Sequence, residues 1–161
     1  MGGWPGSGKT TLSRTLALEL GVPYLAKDEV KETLMDALGA PDDVEASHAL
    51  GRAAVRAVMA VAAQCPAAVV DSTWFPYALP LAAALPGPVV EVRCCVPLAV
   101  ARERYRDRTR DPRHLDGFRD EDELWGAEVA PLGLGPLVEV ETTGAVDVPA
   151  VAASVRALLA P

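Results

Sequence analysis

Cysteine is scarce in this chain and wrongly spaced for a disulfide framework. Three occur, Cys65, Cys94 and Cys95. An odd number without framework spacing reads as reduced thiols. There is no CxxC and no Cys/His cluster, so no zinc site is expected. Cys94 and Cys95 are neighbours in a strand-like run and should point to opposite faces. No apolar stretch reaches the roughly 18 residues of a membrane span. Residues 53–63 come nearest but are too short. The glycine-rich N-terminus does not read as a signal peptide. Gly6 stands where N-myristoylation needs Ser or Thr. Positive charge is also short: 15 Lys and Arg face 22 Asp and Glu, a net charge of −7. Such a chain has no broad attraction to phosphate backbones or anionic lipid, so nucleic acid and membrane are disfavoured as main partners. These absences together predict a cytoplasmic protein.

What is present suits one domain over residues 1–161. The length fits a single core, and half the residues are hydrophobic. No repeat and no linker divides the chain. Short apolar runs alternate with longer amphipathic ones. Leu12, Leu16 and Leu20 fall at i, i+4, i+8 and predict a helix over 10–20. A strand over 22–26 precedes a helix to Leu38, with Asp28 as its N-cap and Gly39 as its stop. A long Ala-rich helix is expected over 44–64 and a buried strand over 67–71. A short helix over 76–85 contains Pro80, which can break it. A strand over 89–96, a helix over 97–108, a strand over 137–140 and a closing helix over 148–159 complete the pattern. Residues 111–135 are polar and punctuated by Pro and Gly. Strands alternating with helices imply an α/β fold of three layers, its mainly parallel sheet covered on both faces.

Residues 3–10 read GWPGSGKT, a full match to GxxxxGK[ST], the P-loop. Gly3, Gly6 and Gly8 let backbone N–H groups curl around a phosphate without a clashing Cβ. Pro5 stiffens the entry, and Ser7 completes the loop. The helix that follows aims its N-terminus, with Thr11 in its first turn, at the anion. Lys9 reaches the β- and γ-phosphates, and the Thr10 hydroxyl ligates Mg²⁺. The expected ligands are therefore ATP and Mg²⁺. One part is missing. A P-loop normally hangs from a central strand, yet only Met1 and Gly2 precede this one. About five strands are expected, and the first is absent. A coding start placed too far downstream is the favoured account. A sheet without that strand would have an unpaired gap, and the loop would lose its anchor.

Other P-loop branches leave marks that this chain lacks. There is no NKxD or DxxG for guanine nucleotides and no LSGGQ, and the length is short for a motor with a helical lid domain. Small kinases remain. Polar groups at the C-terminal strand ends fit that reading, because open α/β sheets bind ligands there. Asp28 can take the proton of an acceptor hydroxyl, and helix capping is its plain alternative. Asp71 ends a buried strand like a Walker B acid, placed to hold Mg²⁺, or it caps a turn. Trp74 and Phe75 wall an acceptor pocket or fill the core. Arg102, Arg104, Arg106, Arg108 and Arg110 wind around a helix, so they cannot share one site. Arg104 and Arg108, four apart, share a face and can clamp the γ-phosphate. The rest read as a solvated face paired with Glu103 and Asp107. A mobile lid is expected over about 109–126. His114 within it reads as a surface histidine, and Asp116-Gly117-Phe118-Arg119 as a decoy for an adenylate-kinase box. Thr143, after the last strand, lies near the adenine or in an ordinary turn.

GWPGSGKTTL, LAKDEVKETL, AAVVDSTWF, VVEVRCCVPLAVARERYRDR and VEVETTG together resemble the AAA-domain P-loop kinases grouped with zeta toxins, chloramphenicol phosphotransferase, gluconate kinase and polynucleotide kinase. They cover nearly the whole chain in the right order. The resemblance implies ATP, Mg²⁺, a five-stranded parallel sheet and transfer to a small-molecule hydroxyl. By analogy Asp28 matches the base position, and Arg104 and Arg108 the lid RxxxR. Two alternatives stay open: a toxin-type nucleotide-sugar kinase, and a nucleotide-binding regulatory module or inactive kinase. The acceptor and the oligomeric state carry no readable code.

Overall fold

The computed structural model describes residues 1–109, 111–115, 121–125 and 129–160. Its helices are α1 (Lys9–Leu20), α2 (Lys27–Leu38), α3 (Val44–Ala62), α4 (Leu79–Ala83), α5 (Leu98–Asp107), α6 (Glu121–Trp125) and α7 (Val148–Leu159). Its strands are β1 (Tyr24–Ala26), β2 (Val69–Asp71), β3 (Glu91–Cys95) and β4 (Leu137–Glu141). Two parallel pairs form, β1 with β2 and β3 with β4. They are joined through the N-terminus. The Met1 amino group donates to Val70 O at 2.9 Å. Gly2 N donates to Val92 O at 2.8 Å and Gly2 O accepts from Cys94 N at 2.9 Å. The order across the molecule is thus β1, β2, the two residues Met1 and Gly2, β3, β4. The gap predicted from the sequence is real, but the P-loop keeps an anchor on both sides of it.

Side-chain alternation along β2 builds the three layers. Val69 faces a core with Leu12 and Leu16 of α1, Val92 and Cys94 of β3, and Val151 and Val155 of α7. Val70 faces the other side, against Val55 and Met59 of α3 and Ala82 of α4. Successive strand residues point to opposite faces, so one short apolar strand feeds both cores. The vicinal cysteines obey the same rule: Cys94 is buried and Cys95 only partly so.

The ends of elements differ from expectation where caps compete. Asp28 does not cap α2. Ala26 is the N-cap and makes no side-chain hydrogen bond, while Asp28 lies inside the first turn. Carboxylates there still favour the helix N-terminus. Asp43 does cap α3, accepting from Ala46 N at 2.8 Å. Gly39 ends α2 with φ of 97°. Pro80 breaks nothing. It occupies the first turn of α4, where its missing N–H has no partner to lose, behind a 3-10 turn over Pro76–Ala78. The polar stretch after α5 holds a 3-10 turn, Pro112–His114, and the short α6.

Candidate active site

The sequence GWPGSGKT folds into an anion cradle for local reasons. Gly3, Gly6 and Gly8 all take positive φ, 128°, 75° and 88°. A Cβ on Gly6 would stand 2.4 Å from Ala101 O, so α5 packs against the loop only because that residue is glycine. Gly8 is the N-cap of α1, with no side chain to cap the helix. The first-turn N–H groups are therefore left for an anion. Ser7 Oγ is fully buried within the loop and has no hydrogen-bond partner. Lys9 is almost buried and donates to Gly3 O at 2.9 Å and Trp4 O at 2.7 Å. Burial pushes its pKa down to about 8, against the pull of Asp71.

At the end of β2, Asp71 Oδ2 accepts from Thr10 Oγ1 at 2.8 Å and from Tyr24 OH at 3.2 Å. Burial and the Asp71 charge raise the Tyr24 pKa, so the phenol stays a donor. Thr10 and Asp71 thus present paired hard oxygens at the mouth of the cradle, the donor type that magnesium takes. Lys27 and Asp28, at the end of β1, form a 2.5 Å ion pair. A cleft of about 630 Å³ opens between these groups. The P-loop and α1 line it with Gly8, Lys9, Thr10 and Thr11, and the end of β1 with Lys27 and Asp28. The end of β2 adds Asp71, Trp74 and Phe75, and α5 with its end adds Arg104, Tyr105 and Arg108. Two strand ends, the loop and α5 therefore converge, as parallel topology dictates.

The two arginines share this cleft but do different things. Arg104 forks onto the loop after β4, donating to Thr142 O and Thr143 O at 2.8 Å each. Thr142 in turn donates from Oγ1 to Ser7 O at 2.7 Å. Arg104, the β4 end and the P-loop form one connected unit. Arg108 lies beyond the last turn of α5 and stacks over Tyr105, 4.0 Å from the ring centroid. Arg102 pairs instead with Glu121 at 2.9 Å and covers the Trp125 ring, and Arg106 pairs with Asp107 at 3.6 Å. Thr143 binds Glu141 through N and Oγ1, at 2.9 and 2.8 Å, and does not line the cleft. Gly3 and Ser7 belong to the cradle but do not line the cleft, whereas Pro5 and Gly6 do.

Sequence spacing missed how the segment after α5 is held. His114 is not on the surface: it is fully buried, and its Nε2 lies 2.8 Å from Glu32 Oε1. Arg113 bridges Asp111 and Asp36, the latter at 2.7 Å, and holds the Asp111 carboxyl down near 2. Trp125 packs at 5.8 Å from Trp4 in the P-loop and edge-on to Tyr105 at 5.5 Å. One side of this segment thus docks on α2 and the other on the phosphate loop. Arg110 and the Asp116-Gly117-Phe118-Arg119 run lie outside the described residues.

Comparisons with known proteins bear on the fold and the family. A family model described as an AAA domain matches residues 1–121. A candidate kinase from Chloroflexus aurantiacus J-10-fl is similar, with 30% identity and a TM-score of 0.84 over 99% of this chain and 97% of that one. A gluconokinase from Sinorhizobium meliloti 1021 has 19% identity and a TM-score of 0.62, over 97% of this chain and 90% of that one. A shikimate kinase from Acinetobacter baumannii, in complex with shikimate, has 20% identity and a TM-score of 0.54, over 98% and 89%. The last two are likenesses of fold. No curated protein matches the chain in sequence. With the P-loop formed, the parallel sheet behind it and the family model spanning three quarters of its length, the chain belongs to the AAA-domain P-loop kinases.

Proposed function

We propose that this protein is an ATP-dependent kinase that transfers the γ-phosphate to a hydroxyl group of a small molecule. One observation carries the reading: the phosphate cradle, the Thr10–Asp71 oxygens and the Asp28 carboxylate all open on one cleft. The cradle fits a nucleotide triphosphate tail. Its Ser7 hydroxyl is buried without a partner, and its helix N-terminus has no side-chain cap. Thr10 and Asp71 would hold Mg²⁺, and two protein oxygens are enough because phosphate and water complete the shell of this ion. Bound there, the ion supplies charge neutralisation for the phosphate tail.

In the transfer itself, the acceptor oxygen attacks the γ-phosphorus and the bond from that phosphorus to the β–γ bridging oxygen breaks, releasing ADP. The acceptor proton goes to an Asp28 oxygen, and Lys27 pairs with that carboxylate. Lys9 turns from the loop carbonyls toward the β- and γ-oxygens. Arg108 meets the charge spread over the transferring group. Arg104 positions the loop instead of touching phosphate. Trp74 and Phe75 form the apolar wall of the acceptor side. Enzymes of similar fold include a gluconokinase and a shikimate kinase, which agrees with a small polar acceptor.

The test is ADP release across a panel of sugars, polyols and hydroxy acids. Acceptor-dependent release is expected, abolished by Lys9→Ala and cut about 10²–10⁴-fold by Asp28→Asn. Full turnover in the Asp28→Asn variant would remove the base assignment. Tight ATP binding with no transfer to any acceptor would favour a regulatory module.

A further inference from the structure

The outer face of α3 carries two arginines that the phosphate site does not use. Arg52 and Arg56 are exposed and one helical turn apart. Neither makes a hydrogen bond or an ion pair with a described residue. Every other described arginine bonds to a carboxylate or a carbonyl, or covers a ring. In a chain with 22 acidic residues against 15 basic ones, such a bare pair of like charges calls for a partner. The one acid within α3, Glu45, lies two turns before Arg52.

These arginines border the acceptor side of the cleft. They stand three residues before Val55 and Met59, which pack with Ala78 of the turn Pro76–Ala78 and Ala82 of α4. Helical spacing therefore raises both guanidinium groups at the rim of that contact. Tyr77 lies in the same turn. Burial raises its pKa, and the charges of Arg52 and Arg56 pull against that rise. The Tyr77 ring stacks on Phe75, with centroids 6.2 Å apart and planes at 16°. The two residues are 41% and 45% exposed. Phe75 in turn lines the phosphate cleft beside Asp71 and Trp74. An aromatic shelf thus leads from the cleft to two uncommitted cations.

We propose that the acceptor is an anionic hydroxy compound: its body lies on Phe75 and Tyr77, and Arg52 and Arg56 bind a carboxylate or phosphate at the end remote from the reacting hydroxyl. The inference rests on the phosphoryl-transfer reading of the cleft and adds the class of acceptor. Two guanidinium forks one turn apart suit the oxygens of one oxyanion. Bare, they repel each other, and an anion between them removes that repulsion. The charge of the triphosphate opposes an anionic acceptor. That acceptor's charge is best held by cations separate from Lys9 and Arg108, which serve the triphosphate. A chain of net charge −7 offers such a compound no broad attraction, so the attraction must be local. A neutral polyol would need neither arginine.

The experiment measures binding to the Mg²⁺–ADP complex of the protein by titration calorimetry, for two pairs of probes. One pair is gluconate against sorbitol, the other glucose 6-phosphate against glucose, so the pairs separate carboxylate from phosphate. In at least one pair the anionic member should bind at least about tenfold more tightly than the neutral one. That difference should vanish in the double variant Arg52→Gln/Arg56→Gln. Both side chains are exposed, so its melting temperature should stay within about 2 °C of wild type. In ADP-release assays the double variant should raise the KM for the acceptor at least about tenfold and leave kcat within about threefold. Equal binding of both members, or none, across both pairs would overturn the proposal. So would an anionic preference that survives in the double variant. If arginine-dependent binding is found and no acceptor in the wider panel is phosphorylated, the anion site stands and the kinase reading falls.

Discussion

Lys9 shows how a single side chain couples the cradle to pH. Burial brings its pKa down from 10.5 to about 8 in the free protein. The native state therefore sheds this proton near pH 8, while the unfolded chain keeps it to about 10.5. The Lys9 contribution to stability rises with pH across that window, because the unfolded state then binds more protons. Nucleotide binding runs the other way. Phosphate charge beside Lys9 favours its protonated form and raises its pKa in the complex. ATP affinity is expected to hold below pH 8 and to fall above it, by up to tenfold per pH unit. Titration calorimetry at pH 7, 8 and 9 checks this. Lys9→Arg, which cannot lose its proton in this range, should flatten the profile. Gly6 makes a purely steric prediction. Gly6→Ala places a Cβ 2.4 Å from Ala101 O at a φ of 75°. It should cost at least about 2 kcal/mol in urea unfolding. A loss under about 0.5 kcal/mol would mean that α5 is not pinned to the loop. These residues were legible in the sequence because a phosphate cradle fixes both residue type and spacing. Asp28 was legible as a polar group at a strand end. Its local role was not, because Ala26 sits at the cap instead and no side chain need cap a helix that starts directly from a strand.

At the scale of elements, α5 divides its arginines by helical position. Arg104 and Arg108 share the cleft face, as their spacing of four predicts, but their partners differ. Arg104→Ala removes two charge-assisted bonds to the loop that steadies Ser7, and should lower stability by about 1–2 kcal/mol and raise the KM for ATP. Arg108→Ala should leave the melting temperature within about 2 °C and lower kcat by at least about 10²-fold. The reverse pattern would exchange their roles. Sequence spacing gave the shared face, since 3.6 residues per turn decides it. It could not give the partners, which come from the loop after β4, some forty positions away. The same limit hid the docking of the segment after α5. His114 meets Glu32 and Trp125 meets Trp4 across long stretches of chain, and neither pair has a local pattern.

For the whole molecule, alternation of apolar runs was enough to predict three layers and a parallel sheet. The period of two along a strand and of 3.6 along a helix leaves few other ways to bury both faces. Strand ends were less legible. Expected runs of five residues shrink to three in β1 and β2, because only the residues that find a parallel partner count as strand. The unpaired gap in the sheet was also read from the sequence, but the anchor that the P-loop keeps across it was not. Met1 and Gly2 tie the two halves of the sheet and lead into the loop. The account therefore stands on a cradle that works with this short anchor. Thermal unfolding with and without Mg²⁺–ATP tests it most directly. Nucleotide at 100 times its dissociation constant adds about 2.7 kcal/mol, or roughly 5–11 °C for a chain of this size. A shift of that order in the wild-type chain, lost in Lys9→Ala, is the predicted result. No shift in the wild-type chain, or an equal shift in both, would contradict it.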